Sequence, residues 1–348
     1  MVLSKKKRFE KICKDIKKIK IQGARNVAKA ALKAYYMYPS KKTKEKLLDL
    51  RPTEPMMQHV LDLAHNQGWG KKDILEHFDS AQEKINKAVY NLIKPGDIIF
   101  THCHSTNVSG GLIYTKKHGR RFQVYNTETR PLYQGRKTAK KLRKAGIKVT
   151  MFVDSAVGVA LDKSQGTKQV NKVFLGSDAL LDKGIVNKIG SETIARIAED
   201  ENIPVYIVAD SWKYSKKPVP MEQRELNEVW DNAPKNIKVK NPAFEFVPKK
   251  YIQGIISELG LQKYDNFLKK RKKLNKEQEP DKNSSGKCKK EKKASKESGE
   301  YYKEKPSKKS SSKEKQKVRD FHENSPKSKK SKKKTSKKKS SSRKSKKK

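Results

Sequence analysis

Acidic residues are scarce in this chain: 38 Asp+Glu stand against 85 Lys+Arg in 348 residues, a formal net charge of +47. That balance favours anionic partners, whether nucleic acid, phosphorylated small molecules or an anionic surface. Adaptation to a salty cytosol would give the same excess without functional meaning. Cysteine is also scarce, with only Cys13, Cys103 and Cys288. Three thiols far apart in sequence suggest no disulfide framework and so a reducing compartment. Long apolar runs are missing. No stretch nears the roughly 20 apolar residues of a membrane span, and the Lys-rich start lacks a signal peptide's apolar run. A cytoplasmic, soluble protein with no membrane association is the expectation. Neither a Walker A motif nor GxGxxG occurs, so nucleotide hydrolysis and dinucleotide binding find no support, and no cofactor is expected. His102, Cys103 and His104 have no second Cys/His cluster to complete a zinc site. Alternation along a strand end would also point them to different faces, so no metal is expected.

Between Asp97 and Ser211 five apolar, β-branched runs recur, each closed by a small polar cluster. Asp97–Phe100 leads into Thr101-His102-Cys103-His104-Ser105, and Phe122–Tyr125 into Thr127-Glu128-Thr129-Arg130. Val149–Val153 leads into Asp154-Ser155, Val173–Leu175 into Gly176-Ser177-Asp178, and Val205–Val208 into Asp210-Ser211. Such runs read as strands buried on both faces. Helix-like segments lie between them, as in Gln134–Ala145 and Lys188–Asp200. Strand and helix in alternation imply a parallel sheet with right-handed crossovers. Ligands then bind outside the carboxyl ends of the strands. The thiol, imidazoles, carboxylates, arginine and hydroxyls gathered there suit a polar, phosphorylated ligand. Helix capping alone would account for Ser155 and Thr101, but not for Cys103 or Arg130.

The fold class is therefore α/β. Residues 1–93 read as an α-helical N-terminal domain, with Phe9, Ile12, Ile16 and Ile19 on one face of the first helix. Residues 94–268 read as a Rossmann-like α/β domain with a mainly parallel sheet. Asp210–Asp231 reads as a loop region over the site, Asn241–Phe246 as an edge strand, and Pro248–Leu259 as a short helix closed by Gly260. Residues 269–348 hold 35 Lys+Arg and 10 Asp+Glu with almost no apolar residues. They read as a disordered basic tail. Weak, salt-sensitive binding of RNA or another polyanion is one role for it, and a solubilising extension is the other.

Cys103 and Asp178 close two different strands. A thiol and a carboxylate facing one phosphate-binding crevice would make an acid–base pair able to move protons on a sugar. A buried structural cysteine is the alternative. Arg51 and Arg130 adjoin prolines that stiffen the backbone, as bidentate phosphate ligands require. Asn187-Lys188-Ile189-Gly190-Ser191 reads as the opening of a helix, which suits an anion.

Together these residues resemble a known family. It contains ribose-1,5-bisphosphate isomerase, methylthioribose-1-phosphate isomerase and the α, β and δ regulatory subunits of translation initiation factor 2B. The matching pieces are Gly23-Ala24, Arg51-Pro52-Thr53, Thr101-His102-Cys103, Thr127–Pro131 with Gln134-Gly135, Asp154-Ser155-Ala156, Gly176-Ser177-Asp178, Asn187–Gly190 and Asn241–Phe244. They span about residues 20 to 260. The resemblance implies Cys103 and Asp178 as catalytic residues. It implies Gly23, Arg51, Ser105, Arg130, Asn187, Lys188 and Lys213 as substrate-binding residues. The reaction implied is conversion of ribose-1,5-bisphosphate to ribulose-1,5-bisphosphate in nucleoside-phosphate salvage, by a dimer or hexamer of this chain. One departure is Gln22, where the isomerases carry an arginine that contacts phosphate. Asp154–Gly158 looks more like the α regulatory subunit. A non-catalytic protein binding initiation factor two, or a sugar-phosphate or nucleotide effector, is therefore the alternative.

Overall fold

The computed structural model describes residues 4–278. Five helices come first: α1 (Lys5–Lys17), α2 (Ala24–Tyr35), α3 (Lys41–Leu48), α4 (Pro55–Asn66) and α5 (Lys71–Leu92). Phe9, Cys13 and Ile16 form the buried stripe of α1. Small residues on α2, namely Ala24, Ala28, Ala31 and Ala34, let its neighbours approach closely and join one apolar core with Met57, Val60, Leu61 and Leu63 of α4.

The α/β part follows: β1 (Ile98–Thr101), α6 (Thr106–Lys117), β2 (Gln123–Thr127), α7 (Gln134–Lys144), β3 (Lys148–Phe152), α8 (Val157–Leu161), β4 (Lys172–Leu175), β5 (Ala179–Leu181), β6 (Gly184–Lys188), α9 (Ser191–Asp200), β7 (Val205–Val208), β8 (Phe244–Pro248), β9 (Gly254–Ser257), β10 (Gly260–Gln262) and α10 (Tyr264–Gln278). The main sheet runs in the order β10-β9-β7-β4-β1-β2-β3. All its pairings are parallel except β10 on β9. Alternate side chains feed opposite faces. Ile98 and Phe100 enter one core and Ile99 the other, as the two-residue strand period requires. From β1 the chain steps to β2 and β3 on one side, then returns to β4, β7 and β9 on the other. The reversal point lies between β1 and β4, where a crevice opens at the strand ends. Cys103 follows β1 and Asp178 follows β4, so they flank it. Three antiparallel strands, in the order β5-β6-β8, form a second small sheet beside it.

The α/β architecture and all five expected strands are present, but β3 is not buried on both faces: it closes the edge of the sheet with Lys148, Thr150 and Met151 exposed. Four local expectations are corrected. Residues 248–259 form no α-helix: after a 3-10 turn at Lys249–Tyr251 they become β9. Gly254–Ser257 is wholly buried and pairs with β7, placing Ile255 and Ile256 in opposite cores. Gly260, at φ +93°, turns the chain into β10 instead of capping a helix. Asn187 and Lys188 end β6, held against Glu245 and Phe244 of β8, and α9 begins only at Ser191. Thr101 belongs to β1 and Ser155 to a 3-10 turn. The side-chain cap at the first of these strand ends is Ser105, which accepts from the Val108 N–H. Finally, α10 continues past Lys269 to Gln278, because Arg271 is buried at 2% exposure and its Nε donates to the Ser211 carbonyl. The remainder of the expected basic tail lies outside the described residues.

Candidate active site

At the β1/β4 reversal point lies a cavity with about 1020 Å³ of space between atoms, its open mouth included. Cys103, Asp178, Gly23, Arg51, Ser105, Asn187, Lys188 and Lys213 all line it. Arg130 does not. It is exposed, and its guanidinium donates to the Tyr133 hydroxyl (2.6 Å) and the Val229 carbonyl (3.1 Å).

Cys103 is held in the left-handed region at φ +62°, a costly backbone for a residue with a Cβ. Its N–H donates to Thr129 Oγ1 (3.0 Å), and its carbonyl accepts from Thr138 Oγ1 (2.8 Å). Thr129, also left-handed, is pinned in turn by Asp154, whose carboxylate accepts from the Thr129 and Arg130 N–H groups. The thiol is thus fixed by the ends of β2, β3 and α7 together. Burial pushes it up to about 11, with the Lys188 ammonium partly opposing the rise. At neutral pH it is a thiol, not a thiolate.

Asp178 leaves β4 with its N–H bonded to the Val186 carbonyl (2.9 Å). Burial raises its carboxyl above the usual carboxylate range, against the attraction of Lys213, Lys188 and Arg51. Lys213 Nζ donates to the Ser177 carbonyl (2.6 Å), and Lys188 Nζ lies 5.6 Å from the centre of the Phe244 ring. An ammonium has three donors, so both keep protons for an anion. The helix starts add to this. Gly23, at φ +86°, opens α2 with no side-chain cap, and Ser105 opens α6. Such N-termini favour phosphate.

His102 is structural. Its Nε2 donates to the Ile189 carbonyl (2.9 Å), so its Nδ1 accepts from Thr127 Oγ1. Neither nitrogen is left for a metal. His104 lines the cavity, and its Nδ1 donates to Thr138 Oγ1 (2.8 Å). Burial holds both imidazoles down at about 4, so they are neutral.

Sequence reasoning missed Glu54, Glu222 and Arg224, which also line the cavity. Glu222 and Arg224 come from the loop expected over the site. Glu54 directly follows Arg51-Pro52-Thr53, but a carboxylate ahead of Pro55 reads as the start of α4. Among the described residues, His77, Asp210 and Glu258 could group around a cation. There the Asp210 carboxylate already accepts from the Trp212 N–H and that of Glu258 from the Ser211 N–H. Arg271 supplies positive charge beside them.

The sequence profile of the initiation factor 2 subunit family matches residues 20–263. A ribose 1,5-bisphosphate isomerase of Methanocaldococcus jannaschii is 35% identical over 288 residues, covering 74% of this chain and 90% of that protein. A methylthioribose-1-phosphate isomerase of Thermosipho melanesiensis is 29% identical over 314 residues, covering 76% and 90%. Among solved structures, a translation initiation factor eIF-2B of Pyrococcus horikoshii superposes with a TM-score of 0.64 at 24% identity, over 74% of this chain and 97% of that one. The fold, the profile match and the relatives agree: the chain belongs to the initiation factor 2 subunit family.

Proposed function

We propose that this protein is an aldose–ketose isomerase of the ribose-1,5-bisphosphate type. The observation that carries the reading is the presence of Cys103 and Asp178 in one cavity, from strands on either side of the sheet's reversal point. The Methanocaldococcus relative points to the same substrate class. A sugar phosphorylated at C1 cannot open its ring by simple mutarotation, so an acid must assist. Cys103 gives its proton to the ring oxygen as the C1–O bond breaks. Asp178 takes the proton from C2, leaving an enol phosphate. It then returns that proton to C1 as the C2 hydroxyl gives its own to the Cys103 thiolate, giving the 2-ketose and restoring both residues. Atoms and electrons balance with no cofactor. A carboxyl raised toward neutrality suits a group that both takes and returns a proton. Lys188, Lys213 and the start of α2 hold phosphate, and Asn187 a sugar hydroxyl. The exposed edge strand β3, with Met151 on it and Val153 just after it, suits pairing of two copies.

Turnover of ribose-1,5-bisphosphate by the full chain tests this reading. Cys103→Ser and Asp178→Asn should each lose about 10²–10⁴-fold in kcat. A wild-type rate in Cys103→Ser would remove that residue from the mechanism. An inert wild type that captures initiation factor two would favour the regulatory alternative.

A further inference from the structure

The Arg51 end of the cavity is built differently from the lysine end. Arg51 is 7% exposed and Glu54 2%. One terminal nitrogen of Arg51 lies 3.2 Å from a Glu54 oxygen and 3.2 Å from a Glu222 oxygen. A guanidinium committed to the Glu54 and Glu222 oxygens presents little positive field to a ligand. Two buried atoms at this spot have no hydrogen-bond partner within the protein: Arg51 Nε, a donor, and Glu54 Oε2, an acceptor. Leaving buried polar groups without partners is costly, so the pair is suited to a ligand group that can both accept and donate.

A phosphoryl group brings only acceptors and negative charge, and here it would meet Glu54 and Glu222. A hydroxyl brings one donor and one acceptor, matching Glu54 Oε2 and Arg51 Nε. We propose that Arg51 and Glu54 form a hydroxyl-recognising subsite which seats the unphosphorylated side of the pentose, making Glu54 a specificity-determining residue. The proposal rests on the cavity being a sugar-phosphate site, and it moves Arg51 from phosphate to hydroxyl recognition. Phosphate is left to Lys188 and Lys213. Burial, then the negative charge of Asp178, pushes the Glu54 carboxyl up to about 8, so near neutrality the empty site holds it mostly as the neutral acid, and a hydroxyl that donates to Oε2 draws it toward the carboxylate.

Calorimetric binding of ribose 5-phosphate, its 2-deoxy and 3-deoxy analogues and inorganic phosphate to the full chain tests the proposal. Wild type should prefer the ribose compound over at least one deoxy analogue by about 10–100-fold, because a missing hydroxyl leaves buried groups unpaired. Glu54→Ala should collapse that preference to within about threefold. Glu54→Gln is close in shape to the protonated acid and guards against loss of fold. Its amide oxygen stays on Arg51 and its NH₂ takes the acceptor's place, so the preference should collapse there too. A preference that survives both variants overturns the subsite. So does a gain in phosphate affinity in Glu54→Ala with the hydroxyl preference intact, which would make Glu54 a charge gate only. A wild type that binds no phosphorylated pentose overturns the isomerase reading and the subsite together.

Discussion

At the scale of single residues, the site is a contest between burial and nearby cations, and burial wins at Cys103. Lys188 pulls its thiol toward ionisation, yet desolvation leaves it at about 11. Iodoacetamide labelling, read by peptide mass, should therefore proceed at Cys103 about a hundredfold more slowly at pH 7.5 than at a free cysteine, since only the thiolate reacts. The rate should climb steadily toward pH 11. Fast labelling at neutral pH would show a thiolate and displace the acid role. Ser105 lines the cavity and also has a structural duty, because its hydroxyl caps α6. Ser105→Ala should lower the unfolding free energy by about 1 kcal/mol in urea titration.

At the scale of elements, two close approaches set the shape of the crevice. A Cβ added at Gly135 would run into the Thr127 carbonyl where α7 crosses the end of β2. Gly135→Ala should thus cost more than the 1–3 kcal/mol typical of overpacking, because backbone, not a flexible side chain, must move. Thermal unfolding measures this loss. The second is Trp212, which leaves β7 and enters the core of the helices, where it stacks on His77 at 3.4 Å between ring centres. Trp212→Ala should cost about 3–5 kcal/mol and displace its neighbour Lys213 from Ser177. Stability and KM for substrate should therefore worsen together. The hairpin β5–β6 and strand β9 escaped sequence reading for one reason. Each is only three to five residues long, too short for a distinguishable period, and neither sits in the strand–helix alternation that made runs of the same length at β1, β4 and β7 readable.

At the scale of the whole molecule, buried titratable groups set the pH window of stability. Burial holds His59 down at about 3, and His102 and His104 at about 4. In the unfolded chain an imidazole binds its proton near 6.5. Their contribution is therefore complete above that pH and lost as pH falls from 6.5 toward 4. Glu54 acts with the opposite sign. Its folded pKa is raised, so its contribution is complete below about 4.5 and lost as pH rises through about 8. The urea midpoint should fall steeply below pH 6.5. It should also decline between 6.5 and 8 in wild type, and that alkaline decline should shrink in Glu54→Gln. An unchanged slope would place the Glu54 carboxyl in a wetter environment. The sequence by itself determined the strand–helix alternation and the polar residues that close each strand, because burial on two faces and the turn after a strand are local demands on residue type. It could not say which of those closing residues meet. That was decided by the order β4-β1-β2, which puts Cys103 and Asp178 beside one crevice, and by a left-handed turn at Thr129 and Tyr133, beside which Arg130 turns to Val229 and the surface. Only packing brought Glu54 and Glu222, 168 residues apart in number, onto one guanidinium, for pairing at such separation leaves no periodic mark on a chain.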